Sequence, residues 1–143
     1  MIRHPSRQDG AVSTELAVLT PLLIGFVLLV VFAGRVTQAE GDVANAAQEA
    51  ARAASLTAGP QAADEAAATT VSANLAAATV SCRQIEVTID TSDFTAGGRV
   101  AVTVSCDADF ADLAMLAVPG SRTFSSTAVE IIDAYRANQE ATP

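Results

Sequence analysis

The longest apolar stretch of the chain lies near its N-terminus. Residues 16–34 have the sequence LAVLTPLLIGFVLLVVFAG, which contains no charged side chain. As an α-helix, these nineteen residues rise about 28 Å, close to the roughly 30 Å hydrocarbon thickness of a bilayer. The pattern therefore predicts one membrane-spanning helix. A cleaved signal peptide is the alternative, because Val31 and Ala33 before Gly34 satisfy a small-residue cleavage rule.

A second apolar pattern follows the membrane segment, at steps of three and four residues. This spacing predicts that the first helix continues to residue 57 with one apolar face. Gly59 and Pro60 end it, and residues 61–78 form a second alanine-rich helix. The apolar positions of the first helix are Val36, Ala39, Val43, Ala46, Ala50, Ala53 and Leu56.

Strict alternation of apolar and polar residues replaces the helical spacing after Val80. Residues 85–90 and 100–106 predict an antiparallel hairpin. Residues 122–132 predict a third strand, preceded by a short helix from Asp109 to Val118. The expected fold class is α+β, with two helices before an antiparallel sheet of about three strands. Thr95, Gly97 and Gly98 lie in the hairpin loop.

The two cysteines, Cys82 and Cys106, flank this hairpin. A disulfide between them suits a domain exported to an oxidising space, and two free buried thiols are the alternative. If Ile85 lies opposite Val104, Arg83 and not Cys82 lies opposite Cys106. A bulge near Cys82 is then needed to bring the sulfur atoms together.

The net charge is -8 and the pI is about 4.4, with eight arginines and no lysine. No basic surface exists to bind phosphates, so nucleic acid is not an expected partner. Arg3 and Arg7 precede the apolar run, which favours a cytoplasmic N-terminus. The acids lie mostly after Arg35, so the part expected to be exported is the acidic part.

Candidate residues for catalysis or cofactor binding are few. The one histidine, His4, lies in the N-terminal leader, and no C-x-x-C, P-loop or dinucleotide motif is found. Asp107, Asp109 and Asp112 predict the start of a helix, with a cation site as the alternative. We therefore expect no enzyme activity and no catalytic, cofactor or metal site.

The segment GAVSTE at residues 10–15 adjoins the membrane helix and follows a short leader that carries arginine. This arrangement resembles a type IV prepilin. The resemblance implies cleavage after Gly10 by a prepilin peptidase, which makes Ala11 the mature N-terminus and Glu15 its fifth residue. An acid there is stable at low dielectric only when paired, and the Ala11 amine of the same or a neighbouring subunit is the natural partner.

The spacing of Glu15, Ala17 and Pro21 before two leucines resembles the signature of TadE-like minor pilins of the tight-adherence (Flp) pilus system. VANAAQEAARAAS at residues 43–55 resembles the stretch that follows in that family, and AVEIIDAYR at 128–136 resembles its closing segment. Pro21 removes a helix hydrogen bond, so we expect a kink or a melted turn there.

The resemblance implies a structural subunit with three parts: a leader at 1–10, a helix at 11–57 and an exported head at 58–143. Its implied partners are the prepilin peptidase, other pilin subunits, the assembly platform with its ATPase, and membrane lipid. The expected location is the cytoplasmic membrane, with one pass and later incorporation into a pilus. A membrane-anchored binding module and a secreted domain freed after Ala33 are the alternatives.

Overall fold

The described part of the chain folds into two helices followed by a three-stranded antiparallel sheet. The computed structural model describes residues 9–78, 80–109 and 121–135. Within them the helices are α1 (Asp9–Ser55) and α2 (Pro60–Ala77). The strands are β1 (Cys82–Asp93), β2 (Arg99–Asp109) and β3 (Ser121–Ile131), in the sheet order β1-β2-β3. The predicted α+β class is confirmed.

The chain divides into two compact units, Met1–Val36 and Thr37–Pro143, and helix α1 contributes residues to both. In the first unit, the large apolar side chains between Leu16 and Val31 are 40–73% exposed. This unit therefore has no core of its own among its described side chains from Leu16 onward.

The second unit has a core of small and β-branched side chains. Val100, Val102, Val104 and Cys106 alternate along β2, and all four are fully buried. Such alternation places them on one face of the sheet. The helices supply mainly alanines at helical spacing, because a small side chain allows the backbone of a helix to come close to its neighbours. The buried helical residues are Ala39, Val43, Ala46, Ala47, Ala50, Ala51, Ala54, Ala63, Ala67, Val71 and Leu75.

The helix boundaries agree with the sequence prediction to within two residues at each end. Pro60 occupies the first turn of α2, where its missing N–H is not needed by the helix. The prediction that Leu56 belongs to the apolar face of α1 is wrong, because Ala54 is buried whereas Leu56 is 55% exposed. Thr57 donates from its backbone and its hydroxyl to the Ala54 carbonyl, so the helix has ended before Leu56 could turn inward.

The pairing of β1 with β2 differs from the predicted register by two residues. Ile85 lies opposite Cys106, where Arg83 was expected, and Val87 lies opposite Val104. A two-residue shift keeps every side chain on the same face of the sheet, so the apolar alternation cannot distinguish the two registers. The predicted bulge is confirmed, since the register shifts between Cys82 and Gln84.

The β1–β2 loop requires glycine at two positions. Gly97 has φ +78°, a conformation that side-chain-bearing residues rarely adopt, and its N–H donates to the Ile132 carbonyl over 3.0 Å. At Gly98 an added Cβ would overlap the carbonyl oxygen of Asp93. The hairpin loop expected at Thr95, Gly97 and Gly98 is thus confirmed.

The segment before β3 is described only at its edges. Asp107 and Asp109 lie at the end of β2, so the prediction that these two acids begin a helix is wrong. They continue the alternation of the strand, which the sequence analysis had ended at Cys106. The remainder of the helix predicted to end at Val118 lies outside the described residues.

Candidate assembly site

Helix α1 contains the candidate membrane anchor. The region from Leu16 onward is long and apolar enough to cross a membrane, by length and composition, and its 18-residue window has a mean hydropathy of 2.8. None of that window is buried inside the protein. Large side chains that are exposed all around a helix indicate that lipid or other helices cover them.

The residues of the predicted processing site lie in the first turns of α1. Gly10, Ala11 and Glu15 all have helical backbone, because the helix begins at Asp9. Residues three and four positions apart face the same side of a helix, which places Glu15 one turn after Ala11 on one helical face. The side chains of these residues lie outside the described part of the structure.

Helix α1 continues through Pro21 without a break, so the described backbone contains no melted turn there. Proline lacks the N–H that would bond to the Ala17 carbonyl one turn earlier. Next to it, the Thr20 hydroxyl donates to the Leu16 carbonyl over 2.7 Å. The Thr20 hydroxyl is therefore hydrogen-bonded within its own helix, which suits an apolar environment.

Cys82 and Cys106 are paired as a disulfide, and their Cα atoms are 5.4 Å apart. Without the bulge, Cys82 would point to the face of the sheet opposite Cys106. With the bulge, Cys82 lies across from Ala108, on the same face as Cys106 and one diagonal step from it. The disulfide thus ties the start of β1 to the fully buried centre of β2.

The outer face of the sheet carries a ladder of hydroxyl groups that ends at Asp107. The Thr103 and Thr127 hydroxyls are 2.8 Å apart, and the Ser105 hydroxyl donates to Ser125 over 2.9 Å. Thr123 donates to the Asp107 carboxylate at the end of this ladder. A shallow cavity of about 120 Å³ lies here, lined by Gln84, Glu86, Ser105, Asp107 and Thr123.

A larger groove, of about 380 Å³, lies between helix α1 and strand β3 in the second unit. Its helical wall is Glu40, Val43 and Ala44, and its sheet wall is Arg122 to Ser126. The Arg122 guanidinium lies 5.8 Å from the centre of the Phe124 ring, a cation–π geometry. The groove therefore combines three apolar residues, Val43, Ala44 and Phe124, with polar ones, among them an acid and a base.

The charged groups near the β1–β2 loop are exposed. Ser92 donates from its hydroxyl and from its backbone N–H to Asp90, which holds the pKa of that carboxyl below its usual value; nearby Arg99 contributes less. Arg99 also lies 3.8 Å from Asp93. Exposed pairs of this kind contribute little to stability.

The part of the chain that the structure describes contains no candidate metal centre. This part contains no group of three or more histidine, cysteine, aspartate or glutamate side chains placed to hold an ion.

The groove between α1 and β3 was not predicted from the sequence, because the residues of its two walls are about eighty positions apart. The helical spacing had identified Val43 as an inward-facing residue, but no signal in the sequence connects it with Phe124.

The long apolar helix is followed in the same chain by an α+β unit that contains a disulfide. This combination fits a membrane-anchored protein. Residues 10–52 match the family model described as TadE-like protein. Over those residues the chain is similar to the TadE-like family, which is consistent with a TadE-like protein of the Tad pilus system. The match leaves the second helix and the sheet outside it. No curated protein and no solved structure matches the chain.

Proposed function

We propose that this chain is a minor pilin or pseudopilin, a structural subunit used in the assembly of a Tad/Flp-type pilus for surface attachment. The observation that carries the proposal is the family match, which begins at Gly10 and covers the apolar part of α1. The leader, residues 1–10, is removed by prepilin peptidase, and Ala11 becomes the mature N-terminus. No catalytic role is part of the proposal.

In this mechanism Glu15 selects the position of the subunit during assembly. A carboxylate in an apolar environment is costly unless a cation neutralises it, and mid-membrane insertion scales place the cost at about 2.5 to 3.5 kcal/mol. Peptidase cleavage creates an amine at Ala11. The Glu15 carboxylate of one subunit then pairs with the Ala11 amine of a neighbour, or with its own. This pairing favours one position of the subunit along the pilus axis.

The proposed location is the cytoplasmic membrane, with the N-terminus in the cytoplasm and residues after the membrane segment exported. Arg3 and Arg7 before the apolar run support this orientation. The family connects the chain with the pilus system in general. The proposed individual partners are the prepilin peptidase, other pilin subunits, and the assembly platform with its ATPase.

The first test is the intact mass and N-terminal peptide map of the protein recovered from host membranes. We expect an N-terminus at Ala11 that is lost when the prepilin peptidase is deleted. A bulky Gly10→Val substitution should block cleavage in the same way. A terminus at Gly34 would identify a secreted domain, and an intact leader beside an active peptidase would identify a membrane-anchored head; either result contradicts the proposal.

The second test separates the role of Glu15 from anchoring. The variant Glu15→Ala should insert into the membrane as well as the unaltered chain, because the substitution removes a charge next to the apolar run. It should be incorporated into pili poorly, because the Ala11 amine loses its partner. Glu40→Ala is the matched control, since it also removes one acid from α1, at an exposed position beyond the apolar run. Normal piliation with Glu15→Ala would refute the pairing.

A further inference from the structure

The two edges of the sheet differ in how readily they accept another strand. The pairing of β1 with β2 shifts register near both ends of β1, and α2 contacts β1. In contrast, all eleven residues of β3 pair with β2 in one unbroken register. An edge strand presents a row of unpaired N–H and C=O groups, and bulges are one means of blocking it. Within the described residues, β3 is the regular edge without a further strand beside it.

The sequence of β3 is complementary to itself when two copies run antiparallel. If Ser126 lies opposite Ser126 of a second copy, Arg122 lies opposite Glu130 of that copy. The same register places Phe124 opposite Ala128 of the second copy. These residues share the inner face of β3, because they are two positions apart along the strand. Opposite charges directly across a strand pair, and a large side chain across from a small one, both favour the pairing.

The groove between α1 and β3 provides space beside this edge. In the antiparallel register, the second copy places its Ala128 and Glu130 next to Phe124 and Arg122, which line the groove. Alanine is small and apolar, and it suits the part of the groove where Val43 and Ala44 belong to the helical wall. The arriving glutamate lies across from the Arg122 guanidinium, the one basic group in the lining.

The outer face is also compatible with this register. Ser125 lies opposite Thr127 of the second copy. The hydroxyl ladder that joins Ser105 to Ser125 and Thr103 to Thr127 within one chain would therefore continue across the contact. Hydroxyl pairs of this kind are favourable across neighbouring strands. No acid of β3 faces another acid of β3 in this arrangement.

We propose that β3 is a docking edge for a second copy of this chain, with the two β3 strands antiparallel and centred on Ser126. The result is one continuous six-stranded sheet with two Arg122–Glu130 contacts. The symmetry axis is perpendicular to the sheet, so each strand of one copy runs opposite to the same strand of the other copy. The pairing does not depend on the proposed pilus role.

The test measures dimerisation of the full chain in detergent micelles by analytical ultracentrifugation. Arg122→Glu and Glu130→Arg should each weaken dimerisation on the order of thirtyfold, because two attractive contacts become repulsive. The double variant Arg122→Glu/Glu130→Arg should restore it. An equimolar mixture of the two single variants should also dimerise, because each contact then joins a glutamate to an arginine. Glu86→Arg on β1 is the control and should have no effect.

Three results would overturn the proposal: a monomeric unaltered chain, single variants that dimerise as well as the unaltered chain, or a mixture that fails to dimerise. Hydrogen exchange of the β2 amides verifies that every variant is folded. A cross-linking experiment tests the register itself. Ser126→Cys should form a disulfide-linked dimer rapidly, because the residue lies opposite its own copy, whereas Thr88→Cys on β1 should not. Equal cross-linking of the two variants would refute the register.

Discussion

Helix α1 contains two apolar stretches that differ in side-chain size and in exposure. Between Leu16 and Val31 the side chains are large and exposed on every side. Between Ala39 and Ala54 they are small, and one face is buried almost completely. The first stretch therefore needs an apolar environment from outside the chain, whereas the second finds it within residues 37–143. One continuous helix serves two environments, and side-chain size distinguishes them.

Removal of the disulfide should have the largest effect, and only on the packed unit. The double variant Cys82→Ala/Cys106→Ala should lower the free energy of unfolding of that unit by about 3 to 4 kcal/mol, from the chain entropy of a loop of about 25 residues. Hydrogen exchange of the Val102 and Val104 amides measures it. Membrane insertion should not change. Unaltered exchange in the double variant would show that the bulged start of β1 is held by other contacts.

A charge in the first stretch should impair insertion without affecting the packed unit. Ile24 is 55% exposed in the middle of the apolar run. Ile24→Arg should cost about 2.5 to 3.5 kcal/mol of insertion free energy, measured by the fraction of chain that resists carbonate extraction from membranes. Ile24→Leu is the control. Full insertion of the arginine variant would argue against a lipid environment for this stretch.

Larger side chains in the two stretches of α1 should have different effects on the stability of the packed unit. Ala50 is fully buried, so Ala50→Leu should destabilise the packed unit by about 1 to 3 kcal/mol through overpacking. Gln48→Leu, on the exposed face of the same helix, should change stability by less than about 0.5 kcal/mol. Val30→Leu in the first stretch should have no effect on that unit. β2 amide exchange distinguishes the three variants, and equal effects of Ala50→Leu and Gln48→Leu would contradict the assigned buried face.

The smallest expected effect concerns an exposed carboxyl outside the apolar stretch. The Asp90 pKa is held below its usual value chiefly by Ser92, so the stabilising contribution is present above the ordinary pKa of the carboxyl. It is lost as the pH falls through the lowered value. Ser92→Ala should raise the Asp90 pKa toward normal in an NMR titration. An unchanged titration would assign the shift to the backbone N–H and Arg99 instead.

Local patterns in the sequence were sufficient to predict the helices and strands but not all of the contacts between them. The three-four spacing of alanines predicted the buried face of α1 as far as Ala50, and the alternation of valines predicted β2. The same alternation placed Ile85 opposite Val104, two residues from its actual neighbour Cys106. The five-residue connection between Asp93 and Arg99, closed by Gly97 and Gly98, selected the observed register, and alternation contains no information about such closure.

For the proposed processing site, the sequence contributes more than the structure does. Gly10, Ala11 and Glu15 were identified from their order in the chain and their position beside an apolar run. Helical backbone adds that Ala11 and Glu15 are one turn apart, but the proposed pairing needs a neighbouring subunit. The sequence is thus sufficient to propose a motif that acts between chains, while the geometry of the proposed pairing depends on assembly.

The sequence by itself determined the long apolar helix, the two alanine-rich helical faces, the three described strands and the need for a bulge at Cys82. These follow from local periodicity and from the conformational preferences of glycine and proline, which act over a few residues. Only the tertiary structure decided the strand register, the continuation of β2 through Asp107, and the groove that joins Val43 to Phe124. Those features depend on contacts between residues far apart in the chain, whose geometry is fixed only when the helices and the sheet pack together.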